Sequence, residues 1–155
     1  MTTLIVETRI LAPTHVCFDL ARDVGAHVRT SSTTGERAVA GETSGLLELG
    51  DEVTFEAVHF RIRQRLTSKI VEFDRPSRFV DEMVRGVFAS LRHIHEFIVE
   101  DPWVLMRDTL VWRSPFGPLG IVADRLFVER HMRNFMVTKQ SELKACAERR
   151  VTEGV

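Results

Sequence analysis

The feature that most restricts the fold is an uninterrupted succession of five strand-like runs between residues 52 and 113. Short turn-forming segments separate neighbouring runs, among them Asp74-Arg75-Pro76-Ser77, Arg85-Gly86 and Glu100-Asp101-Pro102. Links this short join only antiparallel neighbours, because a parallel crossover needs about a dozen residues or more. The middle of the chain is therefore predicted to be an antiparallel meander, with strands over 52–60, 61–73, 78–85, 88–100 and 103–113.

Three further elements are predicted before the meander. Residues 3–11 alternate between apolar and polar side chains, with the period of a strand that has one buried face. A helical stretch begins at Pro13-Thr14 and is interrupted at Asp23-Val24-Gly25, so two short helices are expected there. The segment 31–50 is rich in Ser, Thr and Gly and predicts a loop with at most one edge strand near 37–42, a candidate pocket rim.

A long helix is predicted after the meander. Beyond the Gly- and Pro-rich segment 114–120 the apolar period becomes helical and continues to about Arg149. The apolar stripe of this helix consists of Val128, Met132, Phe135, Met136 and Leu143. The apolar face of the sheet must be buried against another element, and no other predicted element is long enough to bury it. This helix should therefore lie across the sheet. The predicted fold class is α+β, as a single domain over 1–150 with a tail at 151–155.

The last hairpin predicts which side chains share the covered face. A tight turn at Asp101-Pro102 sets His95 opposite Asp108. The same register pairs Leu91 with Trp112, His93 with Leu110, Phe97 with Met106 and Val99 with Val104. The predicted solvent face carries Arg92, Glu96, Arg107, Thr109 and Arg113. The covered face is thus apolar except for His93, His95 and Asp108.

Several local patterns follow one another in a fixed order along nearly the whole chain. They are Gly50-Asp51-Glu52-Val53-Thr54-Phe55, Phe79-Val80-Asp81-Glu82-Met83 followed by Gly86 and Phe88, His93-Ile94-His95-Glu96-Phe97, and Asp108 running to Pro115-Phe116-Gly117-Pro118-Leu119-Gly120. In this order they resemble the SRPBCC superfamily, which includes START domains and birch-pollen-allergen-like proteins, and in particular its bacterial cyclase or cell-division-inhibitor-like branch. The resemblance implies the helix-grip fold, a curved sheet of about seven strands wrapped around the C-terminal helix. It also implies a cavity in which relatives bind lipids, sterols, polyketides or other apolar molecules.

His93, His95 and Asp108 are the candidate catalytic residues. The two imidazoles share one strand face about 7 Å apart, and Asp108 can orient the His95 tautomer or raise the His95 pKa. The functional hypothesis is general acid–base catalysis, as in superfamily members that cyclise or dehydrate polyketides. The structural alternative, which is favoured, is that the histidines hydrogen-bond Asp108 or neighbouring strands and give a ligand a polar anchor.

A metal site and an inward carboxylate are weaker hypotheses. A His-x-His pair with a carboxylate can supply three metal ligands, but His59 or His131 would have to be recruited as a further ligand. No metal and no cofactor is therefore predicted. Asp81 and Glu82 alternate faces in their strand, and a solvated carboxylate or one paired with Arg85 is the favoured interpretation.

The predicted ligand contacts lie on the covered face and on the helix over it. His131 should face the sheet or the cavity wall, and Trp112 and Phe116 offer aromatic surfaces near the start of the helix. The full predicted set is Leu91, His93, His95, Phe97, Met106, Asp108, Leu110, Trp112, Phe116, His131 and Phe135.

Composition limits the partners. The 21 basic and 22 acidic side chains are mixed along the chain, so nucleic acid and anionic lipid are not predicted partners. No apolar run approaches the roughly 18 residues of a membrane span. The start of the chain lacks the pattern of a leader, so a cytoplasmic protein without membrane insertion is expected. Cys17 and Cys146 lack CxxC and CxxH spacing and are expected to be reduced thiols.

Two main function classes follow. A carrier or sensor that binds a hydrophobic small molecule is favoured over an enzyme of the cyclase, dehydratase or isomerase type. Motifs of nucleotide-binding and acyl-enzyme proteins are absent from the sequence. A role as a protein-partner module also stays open, because the same fold serves as a chaperone cofactor in some members of the superfamily that the chain resembles.

Overall fold

Seven antiparallel strands form the sheet in the computed structural model, which describes residues 1–154. They are β1 (Thr2–Ile10), β2 (Arg37–Gly41), β3 (Glu52–His59), β4 (Ile62–Asp74), β5 (Arg78–Arg85), β6 (Ser90–Glu100) and β7 (Trp103–Arg113). The strand order is β1-β7-β6-β5-β4-β3-β2, so the predicted meander is confirmed and the first strand closes onto the last. The bounds of β5 and β7 are those that the sequence predicts.

Two short helices, α1 (Thr14–Ala21) and α2 (Val24–Arg29), follow β1 as predicted. They are separate because Asp23 is the N-cap of α2, where its carboxylate accepts the N–H of Ala26 at 3.1 Å.

The C-terminal helical segment is longer than the sequence predicts. It consists of α3 (Gly117–Ala123), a π-helical turn (Asp124–Val128) and α4 (Glu129–Thr152). The predicted tail at 151–155 is therefore still helical to Thr152, and Val155 lies outside the described residues.

The β6–β7 hairpin has the predicted register. His95 pairs with Asp108, and the pairs Leu91 with Trp112, His93 with Leu110, Phe97 with Met106 and Val99 with Val104 are all present. Val99 is 68% exposed, so the covered face ends before the turn of the hairpin. On the opposite face Arg107 forms ion pairs with Glu7 and Glu96, as expected for a solvent side.

The buried apolar side chains form two groups at the two ends of the sheet. In the first, the ring of Phe18 from α1 makes edge-on contacts with Phe73, Phe79 and Phe97, at centroid distances of 5.2 to 5.6 Å. The second group surrounds Trp112 and includes Leu4, Val6, Leu110 and Met136. The first group also includes Leu143 and Ala147 of α4, so the helical segment contributes to both groups.

A buried hydrogen bond fixes the π-helical turn against the sheet. The Nε1–H of Trp112 donates to both carboxylate oxygens of Asp124, at 2.8 and 2.9 Å, and the hydroxyl of Thr2 donates to the same carboxylate at 2.5 Å. Since Asp124 is buried, these donors compensate the cost of removing its charge from water.

None of the helices within residues 1–154 combines the length and the apolar character needed to cross a membrane.

The substitution Trp112→Phe tests the fixation of the π-helical turn. It keeps an aromatic ring but removes the N–H donor, so it should lower the free energy of unfolding by about 1–3 kcal/mol. Trp103→Phe, at the exposed end of the same strand, is the control and should change it by about 0.5 kcal/mol or less. Urea unfolding followed by far-ultraviolet circular dichroism measures both, and equal effects would contradict the assignment.

Candidate functional site

A cavity of about 400 Å³ lies between the concave face of the sheet and the C-terminal helical segment. This volume is within the range of about 300–1,000 Å³ that is typical of small-molecule sites. Most of its wall is apolar, with Val53, Phe55, Leu66, Ile70, Leu91 and Leu110 from the sheet and Val128, Met132, Phe135 and Met136 from the helical segment. Members of both groups of buried apolar side chains line the cavity.

Exposed apolar side chains among the lining residues mark the opening. Phe60 lies in the β3–β4 turn, Val87 in the β5–β6 turn and Phe116 directly before α3. Phe116 is 83% exposed, so it lies at the mouth of the cavity.

Three side chains from β5 and β6 form a polar floor, which we define as Asp81, His93 and His95. Asp81 lies opposite His93 in the strand register, and His95 follows two residues later on the same face. The Nε2–H of His95 donates to Asp81 Oδ2 at 2.7 Å, and His93 Nδ1 is 3.9 Å from the same oxygen. The two imidazoles stack at 3.7 Å, and His95 also stacks on Phe79 at 4.0 Å.

Asp108 supports the polar floor from behind. Its Oδ1 accepts the Nε2–H of His93 at 2.8 Å and the Nδ1–H of His95 at 3.1 Å. Its Oδ2 accepts the side-chain amide of Gln140 in α4 at 2.6 Å, and Gln140 also donates to the carbonyl of Val6 in β1. This chain of hydrogen bonds joins the helix to three strands and fixes both imidazoles.

The hydrogen bonds of this cluster stabilise its charged groups. Burial alone lowers the pKa of His95, but its hydrogen bonds to Asp108 and Asp81 outweigh burial and raise the pKa to about 9. Burial raises the pKa of Asp108, yet the N–H groups of His93 and His95 hold that pKa well below its usual range. His95 is therefore an imidazolium at neutral pH, placed between two carboxylates.

A second polar cluster joins α2, the loop before β2 and α4. His27 Nε2–H donates to Glu36 at 2.9 Å, and the Lys139 ammonium donates to the His27 carbonyl and to the hydroxyls of Thr30 and Ser31. Burial lowers the pKa of Lys139 to about 8, although the nearby charge of Glu36 raises it. Side chains of His27, Glu36 and Lys139 all reach the cavity.

A histidine pair connects the end of β3 with α4. His59 Nδ1 lies 2.8 Å from His131 Nε2, so one ring donates its proton to the other. Burial lowers the pKa of both rings, and a charge on His131 lowers the pKa of His59 further. Both side chains line the cavity near Phe60, on which His131 packs at 4.3 Å.

Comparison with known proteins identifies the architecture. No protein-family model matches the chain, and no curated protein matches it. Among solved structures it is similar to the protein TTHA0849 from Thermus thermophilus, with 18% identity, a TM-score of 0.76 and coverage of 93% of this chain and 95% of that chain. The Zhui aromatase/cyclase from Streptomyces sp. R1128 has 14% identity and a TM-score of 0.73, over 97% and 95% of the two chains. The chain has the helix-grip fold that these structures share.

A plant protein shares this helix-grip fold as well. Ginseng major latex-like protein 151 from Panax ginseng is 15% identical, with a TM-score of 0.66, and the alignment covers 94% of this chain and 97% of that chain. At such low identities the similarity establishes the fold and not the ligand. The fold-level resemblance found in the sequence is confirmed.

The helix-grip fold places most of the predicted ligand contacts at the cavity. Leu91, His93, His95, Leu110, Phe116, His131 and Phe135 line it. Phe97 and Met106 do not, because α1 packs over that end of the sheet and buries them in the group around Phe18. Trp112 is fully buried under the π-helical turn, and Asp108 reaches the cavity only through the histidines.

Several polar residues of the site are not in the predicted set. Asp81 points inward to His95, whereas Glu82 points outward to Arg92, so the favoured interpretation of a solvated or Arg85-paired carboxylate is wrong for Asp81. Lys139 and Gln140 are also missed. They occupy positions between Met136 and Leu143 on the apolar stripe of the helix, and polar residues on such a stripe are the signal that could have identified them.

The substitution Lys139→Met tests the burial of the ammonium group. Because the pKa of Lys139 is lower in the folded chain, the unfolded chain binds more protons between pH 8 and about 10.5, and the stability of the wild type rises through this window. Between about pH 7.5 and 10, the free energy of unfolding of the wild type should therefore increase by about 2 kcal/mol relative to that of the variant.

Urea unfolding at a series of pH values measures this difference. Lys144→Met, an exposed change on the same helix, is the control, and its difference from the wild type in free energy of unfolding should not change with pH. If the difference for Lys139→Met is also independent of pH, the burial of a charged ammonium is contradicted.

Proposed function

We propose that this protein binds a small, mostly apolar molecule in the cavity between the sheet and the C-terminal helical segment, and serves as its carrier or sensor. The observation that supports the proposal best is the combination of an apolar wall with a polar floor in one cavity of about 400 Å³. An apolar molecule that enters this space gains about 25 cal/mol for each Å² of surface removed from water.

The polar floor favours a ligand with a neutral polar group at one end. Asp81 can accept a hydrogen bond from a ligand hydroxyl, and so can the Nδ1 of His93, whose Nε2–H already donates to Asp108. One imidazolium, that of His95, lies between the carboxylates of Asp81 and Asp108, so an anionic ligand group would lose its hydration without gaining a counter-ion at the floor. An apolar alcohol or phenol fits this environment best.

A second candidate function is acid–base catalysis of the cyclase or dehydratase type. Among the described residues, the Nδ1 of His93 has no hydrogen bond, and it lies at the cavity surface beside Asp81. His93 would then exchange protons with a bound substrate, while His95 and Asp108 fix its position. One structural neighbour is named an aromatase/cyclase, which supports this candidate by similarity of fold alone.

Three expectations stay predictions from the sequence. A role as a protein-partner module rests only on the resemblance, and so does a more specific position within the bacterial branch of the superfamily. A cytoplasmic location rests on the composition of the chain.

Filling the cavity should abolish binding of an apolar dye. Leu91→Trp replaces an aliphatic side chain of β6 that lines the cavity with the larger indole ring. This variant should weaken Nile red binding by about tenfold or more, measured by fluorescence titration. Ile98→Trp, on the same strand but away from the cavity, is the matched control and should bind the dye like the wild type. Equal affinities for the two variants would contradict a ligand site in this cavity.

The substitution His93→Gln separates the two candidate functions. If the protein is a carrier, His93→Gln should bind Nile red like the wild type. Neither the wild type nor the variant should then form a product from a linear poly-β-ketone. An enzyme should release water from that substrate, detected by mass spectrometry, and His93→Gln should lower this turnover by about 100-fold or more.

A further inference from the structure

The polar floor also has the composition and geometry of a metal site. Its three candidate ligand atoms are Asp81 Oδ2, His93 Nδ1 and His95 Nε2, and one ligand atom from each residue lies within 4.8 Å of the other two. All three come from two adjacent, paired strands of the sheet. Sites on strands hold their ligands more precisely than sites on loops.

Asp108 leaves the correct nitrogens free for an ion. It accepts the Nε2–H of His93 and the Nδ1–H of His95, so the other nitrogen of each ring is directed to Asp81. Histidines that bind metals usually donate their second N–H to a carboxylate in this way, which orients the ring and strengthens the ligand. Gln140 in turn holds Asp108 through its other oxygen.

The distances between the ligand atoms are near those around a coordinated ion, and the two stacked imidazoles would have to rotate toward a common point. An ion at about 2.1 Å from each ligand keeps neighbouring ligand atoms about 3 Å apart. The oxygen of Asp81 is now 2.7 Å from His95 Nε2 and 3.9 Å from His93 Nδ1. An ion would replace the proton that His95 Nε2 donates to Asp81, and that proton would pass to solvent.

The ligand set selects the class of ion. Two imidazoles with one carboxylate suit divalent first-row transition ions such as Zn²⁺, Fe²⁺ or Co²⁺, whereas Mg²⁺ and Ca²⁺ prefer oxygen ligands alone. Three protein ligands leave further positions open, as in catalytic sites and not in closed structural ones. Because Asp81, His93 and His95 all line the cavity, the open positions would face a bound molecule.

We propose that Asp81, His93 and His95 bind a divalent first-row transition ion at the floor of the cavity, with Asp108 as the residue that orients both imidazoles. This departs from the expectation of no metal, which rests on the absence from the sequence pattern of a further ligand beside the His-x-His pair and one carboxylate. The proposal does not depend on the proposed carrier function, since it concerns the ion alone.

Calorimetric titration of metal-stripped protein with Zn²⁺ tests the site. The wild type should bind one equivalent, and Asp81→Asn should weaken binding by about 100-fold or more. Glu82→Gln is the matched control, because the neighbouring carboxylate points to the other face of the sheet and should leave the affinity within about threefold. Asp108→Asn should weaken binding by about 10- to 100-fold, as expected for a positioning residue.

Histidine ring ¹⁵N resonances of the wild type provide a readout that needs no variant. Zinc should shift the signals of His93 and His95 and leave those of His59 and His131 unchanged, and Co²⁺ should give a visible d–d spectrum. Should Asp81→Asn fail to fold, as judged by circular dichroism, His93→Gln takes its place.

Three results would overturn the metal site. They are a wild type that binds no zinc, a zinc site that survives in Asp81→Asn or His93→Gln, and a site lost in His131→Gln. Nile red binding is measured without metal, so a failed zinc titration leaves the carrier function standing, and a failed dye titration leaves the zinc site standing.

Discussion

The buried carboxylate of Asp108 is the group on which the interior of this protein depends. It accepts hydrogen bonds from His93 and His95 in β6 and from Gln140 in α4, and Gln140 continues the chain to Val6 in β1. A carboxylate removed from water is costly unless such donors surround it. These hydrogen bonds therefore join the strands and the helix at this place and hold His93 and His95 in the polar floor.

The helical segment packs on the sheet at two places along its length. Leu143 and Ala147 of α4 belong to the buried group around Phe18, and Trp112 fixes the π-helical turn through Asp124. Between these places along the segment, Met132 and Phe135 line the cavity and Lys139 adds a polar group to its wall.

The sequence predicts the sheet better than it predicts the site. Alternation and short turns determine the meander, and one tight turn at Asp101-Pro102 determines the whole β6–β7 register, including His95 opposite Asp108. Which residues of that face reach the cavity depends instead on where α1 and the π-helical turn pack, and no local pattern encodes this. Phe97 and Trp112 are predicted as ligand contacts for that reason, yet both are core. The inward turn of Asp81 likewise depends on the pairing of β5 with β6.

Native mass spectrometry followed by organic extraction shows whether the cavity holds a small, mostly apolar molecule. We expect a complex of the chain with one such molecule, either retained from the cell or formed on exposure to a panel of fatty acids, sterols and polyketides. We further expect that Leu91→Trp shows the bare chain under the same conditions. A wild type that shows only the bare chain, both as purified and after exposure to the whole panel, would contradict the proposed ligand binding.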